Sequence, residues 1–102
     1  MDHRSDERIR QRLADCCAVF SNPNRLKLLE VMRGRGAVSV SELVAETGLS
    51  QSAVSQHLKR MRDQGIVSRE RCGKRCFYAI SDDRIVEAMD DIRAFVTDGT
   101  ME

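Results

Sequence analysis

The side chains of this chain best suited to chemistry are its four cysteines, which fall into two pairs. Cys16 and Cys17 are adjacent in "RLADCCAVF", and Cys72 and Cys76 flank Gly73-Lys74-Arg75 in "RCGKRCFYAI". Thiolates bind thiophilic ions and are readily oxidised, so each pair is a candidate site for ion binding or redox sensing. A free cysteine is also a small apolar side chain, and packing is the alternative for each pair.

The first cysteine pair lies in a segment with helical periodicity, which predicts a helix over about residues 6–20. Its apolar stripe consists of Ile9, Leu13, Cys16, Cys17 and Phe20. At about 100° per residue, Cys16 lies within the stripe and Cys17 at its edge. Both thiolates could therefore reach one thiophilic ion on their shared edge of the helix.

The second cysteine pair lies at a predicted hairpin turn. The segments "IVSRER" and "CFYAI" read as strands on either side of Gly73-Lys74-Arg75. With that three-residue turn, Cys72 and Cys76 would be cross-strand neighbours, about 4.5–5.5 Å apart at Cα and within disulfide range. Oxidants or reactive sulfur species could then close a disulfide there. Adventitious oxidation of two exposed thiols is the alternative.

Two helices and a tight turn are predicted upstream of this hairpin, between about residues 39 and 64. A short helix ends at Gly48, and a longer one begins at the N-cap Ser50 and stops before Gly65. This arrangement is a helix-turn-helix. Its inward side chains are predicted to be Val40, Leu43, Val44, Val54, Leu58 and Met61.

Two more helices complete the predicted order of elements. Asn22 and Pro23 begin one of them, which turns Leu26, Leu29 and Met32 inward. The other covers about residues 83–96 and carries an apolar stripe of Ile85, Met89, Ile92 and Val96. With a wing at about 66–80, the fold class is mainly α with a small β-hairpin. We expect a single winged helix-turn-helix domain over residues 1–102.

Charge and polarity suggest that this domain binds DNA. Residues 55–75 contain seven Lys/Arg and two acidic residues, a local charge of +5, whereas residues 76–102 carry −5. Polar side chains on the outer face of the second helix of the helix-turn-helix can contact bases or phosphates, and cations follow on the hairpin. The candidate DNA-binding residues are Gln51, Ser52, Ser55, Gln56, Lys59, Arg60, Arg71, Lys74 and Arg75.

Three stretches resemble the ArsR/SmtB family of winged-helix transcriptional repressors. They are "FSNPNRLKLLEVM", "SVSELVAETGLSQSAVSQHLKRMRDQGIVSRER" and "GKRCFYAI". The resemblance implies a homodimer whose interface is formed by the first and last helices. It also implies a repressor that binds palindromic double-stranded operator DNA. The repressor would release this DNA when it binds a metal or metalloid, or when its cysteines are modified.

The sequence departs from this family at the usual sites for divalent metals. Some relatives carry a cysteine pair in the helix before the recognition helix, where this chain has "SVSEL" without a thiol. Others place histidines along the last helix, which here has none. Some arsenite-responsive relatives use a vicinal cysteine pair in the first helix. The resemblance therefore makes As(III), or a related thiophilic ion, at Cys16 and Cys17 the first hypothesis. Three-coordinate As(III) would need a third sulfur, which only Cys72 or Cys76 could supply.

Two alternatives remain open beside As(III). One is a thiol-based repressor switched by oxidation or reactive sulfur at Cys16, Cys17, Cys72 or Cys76. The other is a DNA-binding module without an inducer.

An enzyme is not expected, because the chain has no CxxC, no Gly-rich phosphate loop and no readable catalytic set. We also expect no constitutive cofactor. The chain has no apolar run of membrane-spanning length and no signal peptide, so no membrane association and a cytoplasmic location are expected.

Overall fold

A computed structural model describes residues 3–98. It contains α1 (His3–Val19), α2 (Pro23–Met32), β1 (Val38–Ser39), α3 (Val40–Thr47), α4 (Gln51–Asp63), β2 (Val67–Cys72), β3 (Arg75–Ile80) and α5 (Asp83–Thr97). The predicted fold class is confirmed, since the described residues form a mainly helical winged helix-turn-helix. α3 and α4 are its two helices, and β2 and β3 are its wing.

The helices begin and end at residues with capping chemistry. The Asn22 side chain accepts hydrogen bonds from the backbone N–H groups of Asn24 and Arg25 at 2.9 and 3.1 Å. Pro23 follows at the first helical position, where its missing N–H costs nothing. Gly48 closes α3 at a φ of 74°, a left-handed conformation that glycine adopts without a steric penalty. These caps separate α3 from α4 by only three residues.

The sheet has three antiparallel strands in the order β1-β3-β2. The strand β1 is only two residues long, and it pairs Val38 with Tyr78 and Ser39 with Phe77. Sequence analysis did not predict β1, because two residues are too few to show the alternation of a strand. It attaches the start of α3 to the base of the wing.

The core lies between α2, α3, α4 and the sheet. Its buried side chains are Val19, Leu28, Leu29, Met32, Val38, Leu43, Val54, Leu58, Met61, Ile66 and Val67. The inward positions predicted for α4 are correct. On α2 the buried pair is Leu28 and Leu29, whereas Leu26 is only half-buried. The prediction for Leu26 was wrong because α2 packs against α3 and the sheet, which places a different arc of the helix inward.

The first and last helices pack only lightly on the rest of the described residues. On α1, Ile9 and Leu13 are 53% and 60% exposed, and on α5 Phe95 is 80% exposed. The radius of gyration is 15.2 Å, larger than the ~13 Å of a compact domain of this length. The apolar stripe predicted for α1 is thus uncovered at Ile9 and Leu13, and the stripe predicted for α5 at Ile92 and Val96. The rest of the α5 stripe, Ile85 and Met89, packs against the core.

Two ion pairs hold α5 against α2. Arg33 binds Asp90 through its two terminal guanidinium nitrogens, with Nη2 at 2.8 Å from Oδ2, and Arg93 pairs with Glu30. The hydrogen bond from Arg33 lowers the pKa of Asp90. These contacts fix the position of α5 although none of its side chains is buried.

Candidate nucleic-acid interface

Helix α4 presents a polar face to solvent because its apolar side chains are all used on the opposite side. Val54, Leu58 and Met61 are fully buried, which fixes the rotation of the helix about its axis. Ser50 caps its first turn by accepting a hydrogen bond from the Ala53 N–H at 3.1 Å. The candidate DNA-binding residues that α4 exposes are Gln51, Ser52, Ser55, Gln56, Lys59 and Arg60.

The exposed side chains of α4 make few contacts that DNA would need to displace. The Gln56 amide lies 3.4 Å from the Ser52 hydroxyl, and Lys59 pairs with Asp63 at 3.1 Å. Exposed pairs at i, i+4 contribute only ~0.3–0.5 kcal/mol. These groups can therefore exchange their present partners for base edges or phosphates at little cost.

The start of α3 is fixed by a reciprocal capping box. The Ser39 hydroxyl accepts a hydrogen bond from the Glu42 N–H at 3.2 Å, and the Ser39 N–H donates to the Glu42 carboxylate at 3.1 Å. The Ser39 N–H, and then the Ser39 hydroxyl at 3.0 Å from the same carboxylate oxygen, lower the pKa of Glu42. At the other end, Lys27 donates to the Thr47 carbonyl at 2.9 Å. α3 is thus held at both ends beneath α4.

The wing brings its cations close to the N-terminus of α4. Lys74 and Arg75 line a cleft of about 390 Å³ together with Gln51 of α4 and Ser41 of α3. Arg75 also lies 5.3 Å from the centre of the Phe77 ring, a cation–π distance that limits its freedom. Gln51 of α4 and Lys74 and Arg75 of the wing, three of the nine predicted DNA-binding residues, therefore line one cleft between the helix and the wing.

The hairpin turn contains two residues, Gly73 and Lys74, and not the three predicted. Cys72 pairs directly with Arg75, and Arg71 pairs with Cys76. Gly73 has a φ of 63° at the first central position, the arrangement of a type II′ turn. Because directly paired residues share a face and successive residues alternate, Cys72 and Cys76 lie on opposite faces of the hairpin.

The expected cross-strand neighbourhood of Cys72 and Cys76 is therefore wrong. A disulfide between these two thiols would need the strands to slip by one residue, which would turn every side chain to the other face. All four cysteines are free thiols in the structure. Cys72 is exposed at the wing tip, and Cys76 is half-buried beside the cleft that Gln51 lines.

The adjacent cysteines of α1 differ in their surroundings. Cys16 is half-buried and packs against the core, whereas Cys17 is exposed. Among the side chains described, those of residues 4–98, no three His, Cys, Asp or Glu are grouped closely enough to hold a metal ion. The third sulfur that As(III) prefers is thus not beside Cys16 and Cys17 in the described part of one protomer.

One buried charge, which was not predicted from the sequence, lies behind α4. Arg25 of α2 is 8% exposed, and its Nη1 lies 3.5 Å from Nδ1 of His57. Burial, and then the charges of Arg25 and Arg60, lower the pKa of His57. The available signal was spacing, since Arg25 precedes the buried Leu28 and Leu29 by three and four residues on the same helix face.

No helix in the described part of the chain combines the length and apolarity needed to cross a bilayer.

This arrangement of a capped recognition helix beside a cationic wing defines a winged helix-turn-helix DNA-binding protein. The sequence model "Bacterial regulatory protein, arsR family" matches residues 22–69, which include both helices of the helix-turn-helix. The HTH-type transcriptional regulator YgaV of Escherichia coli (strain K12) is 42% identical over 66 residues, 65% of this chain and 67% of YgaV. The chain belongs to the ArsR family of transcriptional regulators.

A further relative is also named as a repressor, and a solved structure agrees in fold. A probable mercury resistance operon repressor of Streptomyces lividans is 37% identical over 79 residues, 78% of this chain and 62% of that protein. The solution structure of the homodimeric winged helix-turn-helix DNA-binding domain of Mb0332 from Mycobacterium bovis superposes with a TM-score of 0.84. The likeness covers 100% of this chain and 92% of the other at 22% identity, so it supports the fold alone.

Proposed function

We propose that this chain is a homodimeric transcriptional repressor that binds operator DNA through α4 and the wing. The observation that carries the proposal is the shared cleft of Gln51, Lys74 and Arg75, which joins the polar face of α4 to the wing cations. In the proposed complex, α4 enters the major groove and Gln51, Ser52, Ser55 and Gln56 contact bases. Lys59, Arg60, Arg71, Lys74 and Arg75 neutralise phosphates.

A second copy of the chain is the proposed occupant of the uncovered faces of α1 and α5. Leu13 on α1 and Phe95 on α5 are mostly exposed, and a groove of about 330 Å³ between α2 and α5 is lined by apolar side chains such as Met89 and Ile92. Burying such side chains contributes about 25 cal/mol per Å² of apolar surface removed from water. Two-fold pairing would present two copies of α4 to a palindromic site about one DNA turn apart.

The proposed inducer is As(III), or a related thiophilic ion, held by Cys16 and Cys17. The two thiols are adjacent on α1, and the exposed Cys17 gives an ion access from solvent. Soft thiolates select ions of this kind. The Streptomyces lividans relative is named a probable mercury resistance operon repressor, and mercury is another thiophilic metal.

Either solvent or the partner protomer must complete the coordination of As(III) in this proposal. Within the described residues of one protomer, the wing thiols form no three-ligand group with the pair on α1. A two-coordinate ion such as Hg(II) needs no third sulfur, since adjacent thiolates suffice. The proposal therefore predicts that both ions act through the same two cysteines.

The test is fluorescence anisotropy of the reduced protein on DNA from upstream of its own gene, titrated without oxygen with arsenite. We expect tight binding that is lost at near-stoichiometric arsenite, because the ion bound at Cys16 and Cys17 disfavours the DNA-bound arrangement. The Cys16→Ser/Cys17→Ser variant should bind DNA and ignore arsenite. The matched control Cys72→Ser/Cys76→Ser should respond like the wild type.

Each departure from this result has a distinct meaning. Binding that arsenite does not change would remove the inducer from the proposal, and peroxide and polysulfide would be titrated next. Loss of the response in the Cys72→Ser/Cys76→Ser control would assign sensing to the wing thiols. A failure of the reduced protein to bind the upstream DNA in preference to unrelated DNA would reject the operator assignment.

A further inference from the structure

Arg25 is the only charged side chain that is buried among residues 4–98. Its Nε donates to the Val19 carbonyl at 2.7 Å, and its Nη2 donates to the Ala18 carbonyl at 3.2 Å. Its Nη1 faces Nδ1 of His57 at 3.5 Å. One rigid guanidinium on α2 therefore joins the end of α1 to the recognition helix α4, with no carboxylate among these partners.

Arg25 binds the carbonyls of the two residues that come immediately after the cysteine pair in the chain. Ala18 and Val19 form the last turn of α1, where backbone carbonyls have no partner within the helix. The same turn is closed by a hydrogen bond from the Phe20 N–H to the Cys17 carbonyl at 3.0 Å. A change in the backbone at Cys16 and Cys17 would therefore displace the two oxygens that Arg25 binds.

The other end of the contact is the imidazole of His57. An arginine guanidinium only donates hydrogen bonds, so Nδ1 of His57 can accept from Arg25 when the ring is neutral and carries its proton on Nε2. The lowered pKa of His57, caused by burial and by the charges of Arg25 and Arg60, agrees with a neutral ring. His57 lies next to Leu58, whose side chain is fully buried in the core, so a force on His57 acts on the body of α4.

We propose that Arg25 is a positioning residue that couples the state of the Cys16–Cys17 pair to the orientation of α4. This inference rests on the proposed function, since it assigns the path by which an ion at those thiols would affect operator binding. An ion bound by both thiolates draws their Sγ atoms together and changes the last turn of α1. Arg25 cannot keep both carbonyls and His57 as partners once that turn has moved.

The energetic reason for coupling is the burial of the guanidinium. A buried cation that loses a hydrogen-bond partner is costly, so α1, Arg25 and α4 favour a small number of complete arrangements. The ion-bound and DNA-bound states then prefer different arrangements, which is the condition for one ligand to weaken the other. Coupling of this kind typically changes affinity by about 5–150-fold and acts equally in both directions.

The experiment compares operator affinity with and without saturating arsenite in the wild type, His57→Leu and His57→Gln. Leucine removes the acceptor for Arg25, whereas the Gln side-chain oxygen can replace it. We expect arsenite to weaken operator binding at least about tenfold in the wild type and His57→Gln, and less than about threefold in His57→Leu. Circular dichroism of each variant and arsenite titration of the free protein accompany the affinities.

Two results would overturn the inference, and they differ from each other. If His57→Leu loses as much affinity as the wild type when arsenite is added, the ion acts by another route and the inducer assignment stands. If arsenite leaves even the wild-type affinity unchanged, the inducer assignment fails and the coupling fails with it.

Arg25→Lys provides a second variant. Because one ammonium cannot replace the three contacts of the Arg25 guanidinium, this variant should reduce the arsenite effect as His57→Leu does.

Discussion

Individual polar residues of the proposed interface differ in the kind of DNA contact that they can make. Gln56 lies on the exposed face of α4 and has an amide, which can bond bidentately to adenine. Lys74 lies in the wing turn and has a single point charge, which suits a phosphate. Residues of the first kind set sequence preference, and those of the second kind set salt dependence.

We therefore expect Gln56→Ala to change the ranking of operator variants and Lys74→Ala to weaken binding to all sequences similarly. The Lys74→Ala change should also reduce the slope of log affinity against log salt by about 1, because one fewer phosphate is neutralised. Anisotropy titrations on operator variants at several salt concentrations measure both effects. If both variants bind the operator like the wild type, α4 and the wing are not the DNA-binding surface.

The His57 imidazole makes stability depend on pH. Because burial and the nearby Arg25 and Arg60 lower its pKa in the folded state, the unfolded chain binds the proton more readily. The stability associated with the neutral ring is present above the ordinary value of 6.5 and is lost as pH falls from there through the folded pKa. Wild-type stability should thus fall more steeply below about pH 6.5 than that of His57→Gln, as measured by urea unfolding across pH. Equal pH profiles for the two proteins would contradict this assignment.

At the scale of single elements, the register of the wing determines which two positions can be joined by a disulfide. Cys76 is opposite Arg71, and not opposite Cys72. We expect the Arg71→Cys/Cys72→Ser variant to form an intramolecular disulfide on mild oxidation, because directly opposed residues have Cα atoms about 4.5–5.5 Å apart. The native Cys72 and Cys76 should not crosslink within one protomer under the same conditions. Mass spectrometry of peptides from the oxidised monomer distinguishes the two, and a native Cys72–Cys76 crosslink would show that the register slips.

The elements that sequence analysis predicted well are those with strong local signals. α4 has a capping serine, a complete apolar stripe and a glycine just after its end, and all three act within the segment itself. The wing register could not be predicted, because a two-residue and a three-residue turn fit the same letters around Gly73. A turn that is longer by one residue shifts the register of one strand and moves each of its side chains to the other face of the hairpin.

The parts of the candidate site that escaped prediction depend on contacts between distant segments. The contact of Arg25 with His57 joins residues that are 32 positions apart, and β1 exists only through its pairing with β3. Periodicity reports which face of a helix is apolar, but not which neighbour covers it. The same limit explains why Leu26 was placed in the core instead of Leu28.

At the scale of the whole molecule, the uncovered stripes of α1 and α5 predict the effect of a charge on assembly. Leu13 is 60% exposed in the protomer, so Leu13→Glu should leave the fold intact and prevent the proposed dimer, where the carboxylate would be buried. Sedimentation should give a monomer, with helical circular dichroism retained and operator binding strongly weakened. The control Asn24→Glu changes an exposed polar position on α2 and should remain dimeric. A dimeric Leu13→Glu protein would place the interface elsewhere.

The light packing of α1 and α5 also affects how the protein behaves at different concentrations. If only a second chain covers the apolar stripes of these two helices, dilution removes the partner and with it part of the free energy of folding. Thermal unfolding would then shift to higher temperature as protein is added. In a cell, a small fall in the amount of chain would reduce the occupied operator more than proportionately. Operator occupancy would therefore switch over a narrower range of synthesis rates than a stable monomer could provide.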